Sequence, residues 1–314
     1  MRKILVKNYI YLLLIIAFII SGCSNSQDKE QSTKSAKRLH IVTTFYPMYY
    51  FTKQVVGNKA DVDLLIPNGT EPHDWEPTTK DLANIQDSDI FVYNSRYFET
   101  WTKKMLTSVD TSNLKVVEAS SGIKLINALE ENKSELNSGS SKDPHVWLSP
   151  VLAQHEVEDI TRAIIKADAK NKNLYEENAS SLKSKLSDLD QLYKTTLKTA
   201  TQKQFVTQHA AFGYLAREYG LKQIPIAGLS PDVEPSMGKL QELAELTKKN
   251  NIKIIYFEGL TSSKVAQTLA DETGAKTEVL NPLEGLTKED QKEGLDYIGV
   301  MKKNLNKLKL SLFY

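Results

Sequence analysis

Two short stretches gather the residues best able to do chemistry: TEPHDWEP at 70–77 and KDPHVWLSP at 142–150. Each sets a histidine behind an acidic residue and a proline, with a tryptophan two places on. The chain has only five histidines and three tryptophans, and His73, His145, Trp75 and Trp147 are all used here. Proline fixes φ ahead of each histidine and removes a backbone donor. That stiffens the loop and aims the imidazole without a helix, while a tryptophan packs the loop down and keeps water off part of the ring. Imidazoles held this way suit a metal ion, whose His nitrogens must converge to about 2.0–2.1 Å. A lone loop histidine is most often solvated or hydrogen-bonded. The repeat argues otherwise, because nothing in fold stability calls for the same rare residues twice.

His209 ends the strand-like run QFVTQH and opens AAFGYLAREYG. In open α/β sheets ligands bind beyond the carboxyl ends of strands, and His73, after VDLLIP and NGTEP, stands at another such end. The two lie in opposite halves of the chain, which argues for a site between two lobes. His40, opening the first strand, and His155, inside the helical VLAQHEVEDI, gain no such support and are expected to be structural or exposed.

The elements that must hold these loops read as α/β. Short β-rich runs fall at 40–46, 62–67, 90–94 and 115–119, then at 204–209, 223–228, 252–258 and 277–282. Helical stretches at 78–87, 99–108, 236–250 and 261–273 alternate with them. Such alternation predicts a four-stranded parallel sheet flanked by helices in each half. Between the halves, Val151 to Phe212 contains neither glycine nor proline. Leu182, Leu186, Leu189, Tyr193 and Leu197 recur at spacings of three and four, one apolar stripe along a long helix over about 172–200. Residues 126–142 are polar and turn-rich, the composition of a mobile surface loop.

The 314 residues allow two lobes with a core each, and 40% apolar with 25% charged residues is the profile of a soluble globular chain. A formal net charge of +1 gives no bulk attraction to nucleic acid, and none is expected as a partner. The N-terminus is different material. Arg2, Lys3 and Lys7 precede the apolar run IYLLLIIAFII, the pattern of a signal peptide. It ends in ISGC, where Cys23 is the only cysteine. This resembles the bacterial lipobox, in which the cysteine is lipidated, with Ile20 where leucine is commoner. Residues 24–38 carry no large apolar side chain and read as a tether. The expected layout is a signal peptide over 1–22, a tether over 23–38, a first lobe over 39–170, a linking helix over 171–201 and a second lobe over 202–314.

Taken in order, FYPMYYFTKQVVG, TEPHDWEPT, DPHVWLSP, VTQHAAFGYLAREYGL, GLSPDVEPS and LNPLEGLT resemble the zinc-specific solute-binding lipoproteins of bacterial ABC importers, the ZnuA- and AdcA-like proteins. The resemblance implies two α/β lobes joined by one long helix. It implies zinc ligands at His73, His145 and His209, completed in the Gram-positive pattern by a carboxylate after the last strand, here Glu284. Glu258, at the end of IKIIYFE, is the competing carboxylate or a supporting one, and Glu71 and Asp74 adjoin His73 and could orient it. Many members carry a histidine-rich loop between the two Pro-His motifs; here it has Glu130, Glu131 and Glu135 and no histidine.

Three imidazoles and one carboxylate suit tetrahedral Zn²⁺. Manganese is the alternative, since manganese-specific relatives resemble this fold, but they place a carboxylate where His209 stands, a harder set; copper would also bind such ligands. The expected function is a monomeric, lipid-anchored receptor on the extracytoplasmic face of a cell membrane, passing zinc to an ABC permease. Some family members bind host matrix proteins, for which no residue pattern here speaks. A zinc hydrolase would keep an open coordination position for water. The chain carries no HExxH, G-x-S-x-G or P-loop, and no enzyme is expected.

Overall fold

The computed structural model describes residues 38–127 and 142–314. The expected signal peptide, most of the tether with Cys23, and residues 128–141 of the polar loop lie outside the described residues. Among the described residues, no helix is long and apolar enough to cross a membrane.

Two four-stranded parallel sheets carry the molecule. The first is ordered β2-β1-β3-β4, from β1 (Leu39–Thr43), β2 (Ala60–Leu64), β3 (Ile90–Tyr93) and β4 (Lys115–Glu118). The second repeats that order as β6-β5-β7-β8, from β5 (Gln204–Thr207), β6 (Lys222–Pro225), β7 (Ile254–Phe257) and β8 (Lys276–Val279). Parallel sheets need both faces covered, and alternate residues show how. In the second sheet Phe205 and Tyr256 join the main core, while Val206 and Ile255 face a smaller cluster under the two helices α7 (Met237–Lys249) and α8 (Lys264–Thr273).

The strands are shorter than the apolar runs that announced them. The run 40–46 gives up its end to α1 (Tyr46–Val56), where Phe45 takes the N-cap in extended backbone and a proline sits in the first turn. Helix α2 (Thr79–Asp87) starts on a capping box made by Thr78 and Asp81. Helix α3 (Thr102–Ser108) begins later than the 99–108 run because residues 94–99 fold around the buried Glu99 carboxylate. It accepts from Asn94 N (2.9 Å), Ser95 N (2.9 Å) and the Thr44 hydroxyl (2.6 Å).

The glycine-free middle holds two long helices. α4 (Pro150–Ala167) leaves the second Pro-His motif, with Ser149 accepting from Leu152 N at its N-cap. It stops at Asp168, whose carboxylate accepts from the Tyr175 hydroxyl and Asn171 Nδ2, both at 2.7 Å. A polar cap breaks the helix here with no glycine or proline involved. α5 (Lys172–Leu197) then runs 26 residues, about 39 Å at the helical rise. Its stripe of Leu182, Leu186, Leu189, Tyr193 and Leu197 is buried as the spacing predicts.

The short α6 (Gly213–Glu218) follows β5, α9 (Lys288–Lys292) follows β8, and α10 (Tyr297–Leu312) closes the chain. α10 ties the second half to the first. The Tyr297 hydroxyl donates to Trp147 O (2.5 Å), and its ring stacks on Tyr50 at 5.6 Å.

Candidate metal centre

Each of the four residues stands in a loop or turn next to a strand or helix. The loop leaving β2 carries His73; His145 precedes a turn of 3-10 helix, Val146–Leu148, ahead of α4; His209 lies two residues past the end of β5; and Glu284 lies in the loop after β8. β3 contributes as well, because Asn94 just beyond it donates to Pro144 O at 2.9 Å and holds the peptide ahead of His145. Leu283 adopts φ 58°, the left-handed region rarely used by a branched side chain, and its N–H donates to Asn281 Oδ1 at 2.7 Å. That turn aims Glu284 inward.

The structure brings the four together. His73, His145, His209 and Glu284 each present a ligand atom, all within 4.8 Å of one another. Glu284 Oε1 is the hub, at 3.2 Å from His73 Nε2, 3.4 Å from His209 Nε2 and 3.5 Å from His145 Nε2. The two histidine Nε2 atoms of 145 and 209 are 3.3 Å apart. Side-chain exposure is 9% for His73, 0% for His145 and His209, and 1% for Glu284. So many lone pairs and N–H groups gathered out of water form a group that can hold a metal ion.

Carboxylates behind the rings fix which nitrogen faces inward. His145 donates from Nδ1 to Asp143 Oδ1 at 2.8 Å, and its backbone N–H donates to the same oxygen at 2.9 Å. His209 donates from Nδ1 to Glu258 Oε1. Glu258 is thus behind the ring rather than among the four. Glu71 accepts from His73 N–H at 3.0 Å, the counterpart of the Asp143 contact. Asp74 does not orient His73; it faces Asp232 of the second lobe, and burial first, then Asp74, holds the Asp232 carboxyl above the usual range. The role of Asp143 was not read from sequence, although the acidic residue two before each histidine was the signal.

The tryptophans differ. Trp147 lies against the His145 ring at 5.2 Å and donates from Nε1 to Pro282 O (2.8 Å), two residues before Glu284. Trp75 packs instead on Trp101, and it is Phe98 that meets the His73 ring at 4.9 Å. His40 bonds to Asp63 (3.0 Å), and His155, 61% exposed, lies on α4; neither joins the cluster.

Burial and charge pull the ring pKa values apart. His73, with burial the larger influence, is held below its ordinary value. Burial also presses on His145, but Asp143 and Glu284 outweigh it and hold that ring above. For His209 burial is overcome by Glu258 and Glu284, which hold it well above. Glu284, despite burial, is held well below the carboxylate range by the three imidazoles. Glu71 is pushed up to about 8 by burial and by Glu284.

Two parallel α/β lobes with a donor cluster sunk in the seam define a bilobed solute-binding fold. The chain belongs to the ZnuA family, described as zinc-uptake complex component A periplasmic, whose model matches residues 41–310. It is similar to the high-affinity zinc uptake system protein ZnuA of Bacillus subtilis, 56% identical over 96% of this chain and 97% of that one. It is similar also to the zinc-binding lipoprotein AdcA of Streptococcus pneumoniae, 48% identical over 96% of this chain, and spans 60% of that longer protein. Among solved structures, the Zn(II)-bound ZnuA-like domain of the same AdcA superposes with a TM-score of 0.76 at 50% identity, over 88% of this chain and all of that one.

Proposed function

We propose that this chain is a zinc receptor that captures Zn²⁺ between its lobes and delivers it to an ABC permease. The observation that carries the reading is the buried set of three Nε2 atoms around one carboxylate oxygen. Three nitrogen donors and one oxygen suit tetrahedral zinc, and the set is too soft to favour manganese. His73, His145, His209 and Glu284 are the ligands in this reading, with Asp143 and Glu258 holding two of the rings. Four protein donors leave no position for an activated water, which favours a receptor over a hydrolase.

The lobes are proposed as residues 39–170 and 202–314, joined by the helix over 171–201. The chain is proposed to work as a monomer, held by lipid on Cys23 to the extracytoplasmic face of a cell membrane. Adhesion to a host matrix protein is the alternative, and nothing in the geometry of the site bears on it. The test is to strip the protein with chelator and titrate it with Zn²⁺, Mn²⁺ and Cu²⁺ against a competing chromophoric chelator. One zinc per chain, bound far more tightly than manganese, is expected. Tighter binding of manganese than zinc would overturn the reading.

A further inference from the structure

The seam between the lobes holds a contact that the four ligands do not explain. Asp143 Oδ1 is occupied by the two bonds from His145. Its other oxygen, Oδ2, lies 2.8 Å from where a Cβ on Gly213 would stand. Gly213 opens α6 in the second lobe, and its φ lies outside the left-handed region, so backbone geometry does not demand glycine there. The neighbouring carboxylate does. A Cβ that close forces something to move, and Asp143 is a short side chain pinned by both bonds to His145. The next nearest atom, Ile126 Cδ1 at 3.3 Å, is the tip of a side chain that can give way.

The adjoining residue holds the backbone of the same segment. The buried Tyr214 hydroxyl donates to Asp143 O at 2.7 Å and accepts from Ile126 N at 3.1 Å. Asp143 N in turn donates to Ile126 O at 3.0 Å. A second-lobe helix therefore packs closely on the first-lobe segments around Ile126 and Asp143, which one isolated antiparallel bridge, Asn127 with Lys142, ties together.

We propose that Gly213 and Tyr214 are positioning residues for zinc capture, holding Asp143 against His145 so that this first-lobe ligand is aimed only while the lobes are seated. The inference rests on the zinc reading above. Loosening the seam at α6 frees Asp143, lets the His145 ring turn, and weakens the site without touching a ligand. Residues that orient a metal-bound histidine are commonly worth 10–100-fold in affinity.

The experiment is a double-mutant cycle on the full chain, read by competition for Zn²⁺ alone. Gly213→Ala is expected to weaken zinc binding about tenfold or more, and Asp143→Ala to weaken it as well. The double variant should bind within about twofold of Asp143→Ala, because the added methyl then has no carboxylate to displace. Tyr214→Phe should cost less, and its loss should vanish in the same background. The visible spectrum of the Co²⁺-loaded Gly213→Ala protein should shift from that of the parent, a change that general destabilisation would not produce. Parent-like affinity for Gly213→Ala, or losses that multiply in the double variant, would overturn the proposal. If Gly213→Ala does not fold, the Tyr214→Phe cycle decides by the same criterion. A parent chain that fails to bind zinc would instead overturn the receptor reading, and this proposal with it.

Discussion

His73, His145 and His209 are alike in type and unlike in setting, and the settings make separable predictions. Replacing any one by Ala should weaken zinc binding by orders of magnitude, since a lost imidazole must be replaced by water. His40→Ala and His155→Ala should change little, and a loss in His155→Ala equal to that in His145→Ala would contradict the assignment. Protons compete for the same nitrogens. Because His145 and His209 are held above the ordinary ~6.5 of a histidine, their protons compete more strongly. Zinc affinity should therefore begin to fall with decreasing pH above that value, and binding near neutrality should release protons. Calorimetry in two buffers of different ionisation enthalpy measures that release; heats independent of buffer would count against it. At this scale the Pro-His pairs were legible because they repeat rare residues. Sequence could not say which acid lies where: Glu258 and Glu284 both follow strands, and only packing puts one on Nδ1 and the other beside Nε2. Nor could it show that Phe98 rather than Trp75 meets the His73 ring, a contact made across separate loops.

The elements bear on how a captured ion leaves. Eight strands and the apolar stripe of α5 were readable, because parallel strands and a half-buried helix impose periods of their own. The start of that helix near 172 was readable too; the carboxylate cap at Asp168 that ends α4 was not, since it does what glycine or proline usually does. The extent of α1 and α10 was missed too; α1, YPMYYFTKQVV, is rich in aromatic and β-branched residues equally at home in buried strands. A stiff, packed α5 argues against wide hinge closure. The expected movement on zinc release is a small rocking of the lobes with local opening at the Pro-His loops. His73 is the proposed ligand with the least support, its ring bonded to Glu284 alone among the hydrogen bonds of the described residues. Apo and zinc-bound crystal structures superposed lobe by lobe would test this. A rotation of several tens of degrees between lobes whose loops stay unchanged would defeat it.

At the scale of the molecule, two of the four proposed ligands come from each half of the chain, so a bound ion would cross-link the lobes. The seam carries Trp147 to Pro282, Tyr297 to Trp147, and Leu286 N to Asn68 Oδ1 at 3.0 Å, which surround the site with contacts between halves. The proposed anchor, Cys23, falls outside the described residues. Cys23→Ala should release the protein to the medium or leave it unprocessed, and processed protein still retained on membranes would rule that anchor out. The central claim is that all four coordination positions are filled by the protein. A crystal structure of the zinc-loaded chain, with anomalous data at the zinc edge, measures this directly. The account predicts one zinc peak bonded to Nε2 of His73, His145 and His209 and to a Glu284 oxygen, with no water ligand. A peak bound by Glu258 in place of Glu284, or a water in any of the four positions, would contradict it.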